Sequence, residues 1–467
     1  TEQIQTFRVG FAEESGQERE RYVLWSQGHH GETNFVVANR LQASQEVTNE
    51  VAGKRTPPVS LLTVSVPVQF QIANLVAWAY NNEDAAALLE DLATREVVRY
   101  LVGVDMGELM SSGGITTRIV RFAAALVGWI TGGLAHVVIV VNMIMAGMSG
   151  SAVADAAATG SVLIPAMVKA RFPAPFAAAI VAAAATIGPI IPPSIPFVLI
   201  GTVAQVSIGR LFLGGAIPGV IMGIFLMVAA YWVAKRHGYA VEKRATFGEI
   251  LAAFWPAIPA LLMPLIIMGG ILSGVATPTE AAVLGVAYSM VLAVGVYREL
   301  SLADVYRICV RTGSSTAAIM ITICGATLMG FVATAEQRGP KLIAVFLSLS
   351  SNPYVLLFII NIGLLILGWV MEPVPVILLI VPIFFPVLER LGFDPVHLGV
   401  VMTLNLMIGL LTPFVGLNVF ITAAIARVPV IQVTRALFIF IFALILVLFL
   451  ISYVPVLVLW LPNLVFG

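Results

Sequence analysis

The sequence predicts a mainly α, polytopic membrane protein built from repeated re-entrant hairpins and broken helices, preceded by a small α+β piece that faces water. Three observations carry this. Hydrophobic residues make up 59% of the 467 positions and charged residues only 11%, where a soluble protein carries roughly a quarter charged residues. About half of the charges fall within about the first 110 positions, so the remainder is the lipid-embedded part. Polar and helix-breaking residues also cluster twice, at matched spacing, inside apolar surroundings.

The N-terminal piece alternates like strands at Phe7–Phe11, Tyr22–Trp25, Phe35–Ala38 and Leu61–Phe70, with Gly- and Pro-containing stretches between. From Asn74 to about Leu109 the period is helical, with Glu83, Asp84, Glu90 and Asp91 set against Leu88, Leu89, Leu92 and Val97. His29 and His30 have no further ligand nearby and read as a polar turn. Cys309 and Cys324 lie in or beside apolar segments, form no metal or disulfide spacing, and are expected as small buried hydrophobes.

Beyond Gly114, apolar stretches suited to crossing a bilayer are Gly214–Ala234, Ile250–Leu272, Ala281–Val296, Ala317–Ala333, Val355–Val370 and Leu437–Leu461. Two basic loops, Lys235–Arg244 and Arg298–Arg311, are separated by two spans, so both lie on one side, which the positive-inside rule makes cytoplasmic. The lone histidines His136 and His397 sit near segment ends, where a membrane-interface position is expected.

The first polar cluster holds Ser149, Gly150, Ser151 and Asp155 between two short apolar runs. It is followed by Gly188, Pro189, Pro192, Pro193 and Ser194. Prolines at this density cannot continue a helix, because they remove amide donors and clash with the preceding turn. In lipid the freed backbone groups survive only where they line a protein cavity. The second cluster repeats the arrangement: Met371, Glu372 and Pro373, then Asn405, Gly409, Thr412, Pro413 and Gly416. Ser149 and Pro192 are 43 positions apart, Glu372 and Pro413 are 41.

A hairpin followed by a broken helix, once per half, points to a repeated transporter with its binding centre at the breaks. Helix N-termini there favour anionic substrate, and carbonyls and hydroxyls favour a small hard cation, so sodium is the expected coupling ion. No transition metal and no other cofactor is expected. Asp155 and Glu372 are functional suspects as ionisable groups in these clusters, although Asp155 could also serve as a helix cap. Thr277, Pro278 and Glu280 read as N-cap, N1 and N3 of a structural helix start.

Two resemblances follow from particular strings. Pro67-Val68-Gln69-Phe70-Gln71-Ile72 and Glu90-Asp91-Leu92-Ala93-Thr94-Arg95-Glu96-Val97 make residues 1–106 resemble the SPFH family (stomatin, prohibitin, flotillin, HflK/HflC). Residues 107–467 resemble the DctM-type large subunit of tripartite ATP-independent periplasmic (TRAP) transporters. The strings are Gly107-Glu108-Leu109-Met110-Ser111-Ser112, Ser149 to Ala157, Ile187 to Ser194, Ala276 to Ala282, Met371-Glu372-Pro373 and Gly409 to Pro413. Phe414 departs from the second proline that the pattern would carry.

The second resemblance implies an elevator-type, sodium-coupled, multi-pass carrier of the bacterial inner membrane that is not an enzyme. It also implies a small membrane subunit (DctQ type), a periplasmic solute-binding protein (DctP type), and organic acids such as C4-dicarboxylates as cargo. Lipid is the expected surrounding, and no nucleic-acid partner is expected. The family's first membrane segments would precede Gly107, where the SPFH-like piece stands, so the two resemblances together predict a chimera joined near Gly107–Ser112. The rival function is an SPFH-like scaffold regulating a membrane protease, which needs one anchor rather than two matched breaks. An ATP-driven pump is excluded by the absence of a Walker A string.

Overall fold

The structure is a computed structural model that describes residues 5–7, 35–37, 60–62, 68–70, 115–239, 244–301, 303–310, 312–313, 352–412 and 416–467. The chain divides into two units, Thr1–Val97 and Val98–Gly467. In the first, β1 (Gln5–Phe7) pairs antiparallel with β4 (Val68–Phe70), with Thr6 opposite Gln69. Here β2 (Phe35–Val37) pairs antiparallel with β3 (Ser60–Leu62), with Val36 opposite Leu61. The predicted Tyr22–Trp25 strand, the 74–109 helix, the Gly107–Ser112 junction, the Ala317–Ala333 span and Cys324 lie outside the described residues.

The second unit is helical. The first hairpin is α2 (Gly133–Ser149) and α3 (Ala152–Lys169), after the short α1 (Ile115–Val127). The first broken helix is α4 (Ala174–Ala185) and α5 (Ile195–Val203). Next come α6 (Ile208–His237), α7 (Phe247–Leu272) and α8 (Pro278–Met290), the last continuing as a π-helical turn over Val291–Val296. The second hairpin is α9 (Pro353–Val370) and α10 (Pro373–Arg390), and the second broken helix is α11 (Pro395–Gly409) and α12 (Leu417–Ala426). The chain closes with α13 (Val430–Tyr453) and α14 (Val456–Phe466).

Five helical stretches among the described residues are long and apolar enough to cross a membrane: Ala152–Lys169, Ile208–His237, Phe247–Leu272, Pro278–Val296 and Val430–Tyr453. The span predicted over Leu437–Leu461 is two helices, because Pro455 withholds an amide donor just after Tyr453 and the chain restarts at Val456. Apart from α1 and α14, the shorter helices belong to the hairpins and breaks, as expected for segments below bilayer length.

Packing explains why the alanine run at α4 lies at the centre. Ala177 to Ala185 are all fully buried, and small side chains let neighbouring backbones approach where no hydrophobic drive separates helix from lipid. On α4 pack α2, α3, α12 and α13. The halves also exchange elements. Helix α12 of the second half packs on hairpin arm α3 of the first, and α5 of the first half packs on hairpin arm α10 of the second. This reciprocity is what two repeats related by a pseudo-two-fold axis produce.

One local expectation is corrected and two histidines are placed. His136 and His397 lie near the starts of α2 and α11 and are buried among protein groups. Each ring Nε2 hydrogen-bonds a backbone carbonyl, Thr131 at 3.2 Å and Ile451 at 2.9 Å, which satisfies part of the imidazole without water. Cys309, expected to be buried, is exposed.

Candidate substrate and ion site

The first hairpin turns because Gly150 ends α2 in the left-handed region (φ 62°) and Ser151 starts α3 as its N-cap, accepting from the Ala154 amide. Asp155 is therefore not the cap. It lies one turn into α3 with no solvent exposure, and the Ser149 hydroxyl donates to its Oδ1 at 2.5 Å. Its Oδ2 has no hydrogen-bond partner.

The first break meets this hairpin tip. Thr186 folds its hydroxyl back on the Ala183 carbonyl, and a 3₁₀-like turn carries the chain through Gly188 and Pro189. Pro192–Pro193 is a cis peptide bond, and Ser194 restarts the helix by accepting from the Phe197 amide while donating to the Pro189 carbonyl at 2.5 Å. A Cβ at Gly188 would run into the Asp155 Oδ2, and one at Gly150 would meet the Pro193 carbonyl oxygen at 2.5 Å. The Ile195 amide reaches the Gly150 carbonyl at 3.5 Å. Ser149, Gly150, Asp155, Gly188, Pro193 and Ser194 thus form one junction of hairpin tip and break, with Ser151, Pro189 and Pro192 at its edge.

A buried polar ladder supports it from below. The Thr159 hydroxyl donates to the Asp155 backbone carbonyl at 2.6 Å and lies 3.3 Å from Asn142 Oδ1, while Asn142 Nδ2 donates to the Val138 carbonyl.

The second half has the same parts with different chemistry. Glu372 stands at the N-cap of α10, with Pro373 at N1, but its side chain makes no cap bond. It is half-buried, and Met371 before it is extended. Hairpin and broken helix touch at Gly368 and Gly409, where a Cβ on Gly409 would meet the Gly368 carbonyl oxygen at 2.6 Å. Asn405 Nδ2 donates to both the backbone and side-chain oxygens of Asn361 at 2.9 Å, and Asn361 Nδ2 donates to Ser452. At the break, Thr412 donates to the Gly409 carbonyl at 2.7 Å and accepts the Gly416 amide on its own carbonyl at 3.0 Å. Pro413 and Phe414 lie outside the described residues.

Thr277, Pro278 and Glu280 belong to neither break. Thr277 and Glu280 form a reciprocal capping box at the exposed start of α8, with Pro278 at N1.

Sequence reasoning missed Asn418, Asn361, Asn142 and Thr159. Asn418 is the most informative, because its Nδ2 donates to the Ala182 carbonyl at 3.3 Å and so ties the second break to α4 of the first half. Its Oδ1 and that of Asn405 are buried without partners among the described residues. Amide side chains inside apolar runs were the available signal.

The arrangement can therefore offer neutral and carboxylate oxygens, with half-helix N-termini at Ser194 and Gly416. Such oxygens are hard donors, and helix N-termini favour anions.

Comparison with known proteins adds an independent finding. Residues 58–457 match the family described as "Tripartite ATP-independent periplasmic transporter, DctM component", a match that opens upstream of Gly107. The chain is 42% identical to the sialic acid TRAP transporter large permease protein SiaM of Vibrio cholerae, over 77% of this chain and 84% of that protein. It is 40% identical to the C4-dicarboxylate TRAP transporter large permease protein DctM of Pseudomonas aeruginosa, over 76% and 84%. It is 38% identical to the isethionate TRAP transporter permease protein DctMQ of Oleidesulfovibrio alaskensis, over 75% and 55%.

Proposed function

The chain belongs to the DctM component family of tripartite ATP-independent periplasmic transporters, and from that premise we propose that it imports an organic acid by sodium symport. It is a TRAP large permease, a transport protein of the inner membrane rather than an enzyme. Family membership implies a small permease component and a periplasmic binding protein beside it.

The observation that carries the symport reading is the oxygen inventory at the two breaks. Asp155 Oδ2, Asn405 Oδ1 and Asn418 Oδ1 are buried acceptors without donors among the described residues. An acceptor left this way costs on the order of 1–3 kcal/mol, and a bound cation removes that cost. A proton path would instead need linked carboxylates and histidines, and here His136 and His397 are held by backbone carbonyls.

Anionic cargo fits the half-helix N-termini at Ser194 and Gly416. The relatives' names give sialic acid, C4-dicarboxylate and isethionate, all organic anions; the first two are carboxylates and the third a sulfonate, and a carboxylate is the reading proposed for this chain. The elevator form of movement is part of the same proposal.

The test is uptake of labelled organic acids into proteoliposomes that hold the permease, with its small permease and binding protein supplied. Uptake should require an inward sodium gradient and persist without a proton gradient. Uptake indifferent to sodium overturns the coupling. Ser151→Ala, Asn405→Ala and Thr412→Ala should each reduce uptake or raise the sodium level it needs; if all three behave as the parent, the site is misplaced.

A further inference from the structure

The basic end of α6 closes a cavity of about 530 Å³ that has no part in the hairpin-and-break junction. Phe176, Trp232 and Tyr239 line it together with prolines and aliphatic side chains, and Phe172 and Phe440 pack behind these rings. The Tyr239 ring packs at 4.7 Å from Phe172 and 5.5 Å from Phe176, and Phe176 lies 5.9 Å from Phe440. Arg236 and His237 line the mouth. His237 stacks on Tyr239 at 5.6 Å, with Nδ1 on the Val233 carbonyl at 2.9 Å.

Two more cations are close in sequence to the lining: Arg171 comes two residues before Pro173, and Arg435 one helical turn before Ile439 on α13. Arg171, Arg236 and Arg435 are exposed, and none pairs with a carboxylate among the described residues. Among the described residues, Glu249 belongs to the Thr246 capping box and Glu299 pairs with Arg118.

From this polar mouth two apolar stripes run into the bilayer. On α6, Ile224, Val228 and Trp232 recur every four residues and lead to Arg236, with Trp232 69% exposed. On α13, Phe438, Phe442 and Leu446 do the same, beginning beside Arg435. The basic loop lies on the cytoplasmic side by the positive-inside rule, where the leaflet is anionic.

We propose that this cavity holds the headgroup of an anionic phospholipid, with its acyl chains along the α6 and α13 stripes. The guanidinium groups match a phosphodiester, the aromatic part of the lining matches the glycerol region, and the volume lies within the usual range for ligand pockets. A free phosphate would use the cations and leave the aromatic part of the lining and the stripes without a role. The lipid would also touch α4, whose first residues line the cavity and whose other end carries the break at Gly188.

The test uses the permease with its small subunit, delipidated in detergent and given dioleoyl phosphatidylglycerol, dioleoyl phosphatidylcholine or inorganic phosphate. Phosphatidylglycerol should raise the thermal midpoint where the other two do not. Its brominated form should quench a fluorescence component that disappears in Trp232→Phe. Arg236→Gln with Arg435→Gln should weaken phosphatidylglycerol binding on the order of twentyfold, from the usual contribution of a basic residue near an anionic surface. Arg307→Gln, whose partner Asp304 lies elsewhere, should bind as the parent does. Equal effects of the two lipids overturn the proposal, as does full protection by phosphate alone, which assigns the cavity to a free anion. A double variant that elutes normally and binds as the parent also overturns it. Should that variant not fold, Arg435→Gln alone is expected to bind about fivefold more weakly, and parent-like binding by this single variant overturns the proposal equally.

Discussion

Gly188 lies directly against the Asp155 carboxylate, so that any side chain at 188 would occupy the place of Oδ2. This one contact joins the tip of a hairpin to the unwound middle of another helix, and it makes the junction sensitive to a single methyl group. Gly188→Ala should therefore leave expression intact but lower uptake at least tenfold, with a stability loss of about 1–3 kcal/mol typical of overpacking. Proteoliposome uptake beside a thermal unfolding curve checks it. Parent-like uptake in a folded Gly188→Ala protein would mean that the junction tolerates displacement of Asp155.

Among the described residues, the Ser149 hydroxyl is the one donor to that carboxyl group. Ser149→Ala should cost about 1–3 kcal/mol, the range for a lost hydrogen bond that leaves a buried acceptor unmade. Ser149→Thr, which keeps the hydroxyl, should recover part of it. Thermal midpoints of the purified variants measure both.

In the second half the backbone contact between Gly368 and Gly409 has no slack, because the atoms facing a new Cβ are main-chain. Gly409→Ala should destabilise the protein strongly, whereas Gly363→Ala on the same hairpin meets nothing within 4 Å and should be neutral. Equal midpoints for the two variants would contradict this packing.

Asn418 crosses from the second break to the Ala182 carbonyl. Asn418→Ala should raise the sodium concentration for half-maximal uptake several-fold, while Thr277→Ala, remote at the start of α8, should lower the thermal midpoint slightly and leave sodium dependence unchanged. Sodium titrations of uptake separate the two. A shift in Thr277→Ala as large as in Asn418→Ala would show that the effect is one of general stability.

Much of this was legible in the chain itself. Composition and hydropathy announced the membrane helices, Gly-Ser and Pro-Pro strings located the breaks, and Thr277 with Glu280 spelled a capping box. These are local properties, set by residues within one helical turn of each other. The same local reading put Cys309 in a core and passed over the burial of His136 and His397 among protein groups, because hydropathy measures the neighbourhood along the chain and not the neighbours in space.

The sequence by itself determined which segments are helical, where each half is interrupted, and that the pattern occurs twice. Only the tertiary structure decided that Gly188 meets Asp155, that Asn418 ties one half to the other, and that α5 and α12 are exchanged between the repeats. The reason is physical. A helix or a break follows from backbone donors and sterics over a few residues, whereas a site made of two breaks depends on close packing between segments hundreds of positions apart, which no local preference encodes.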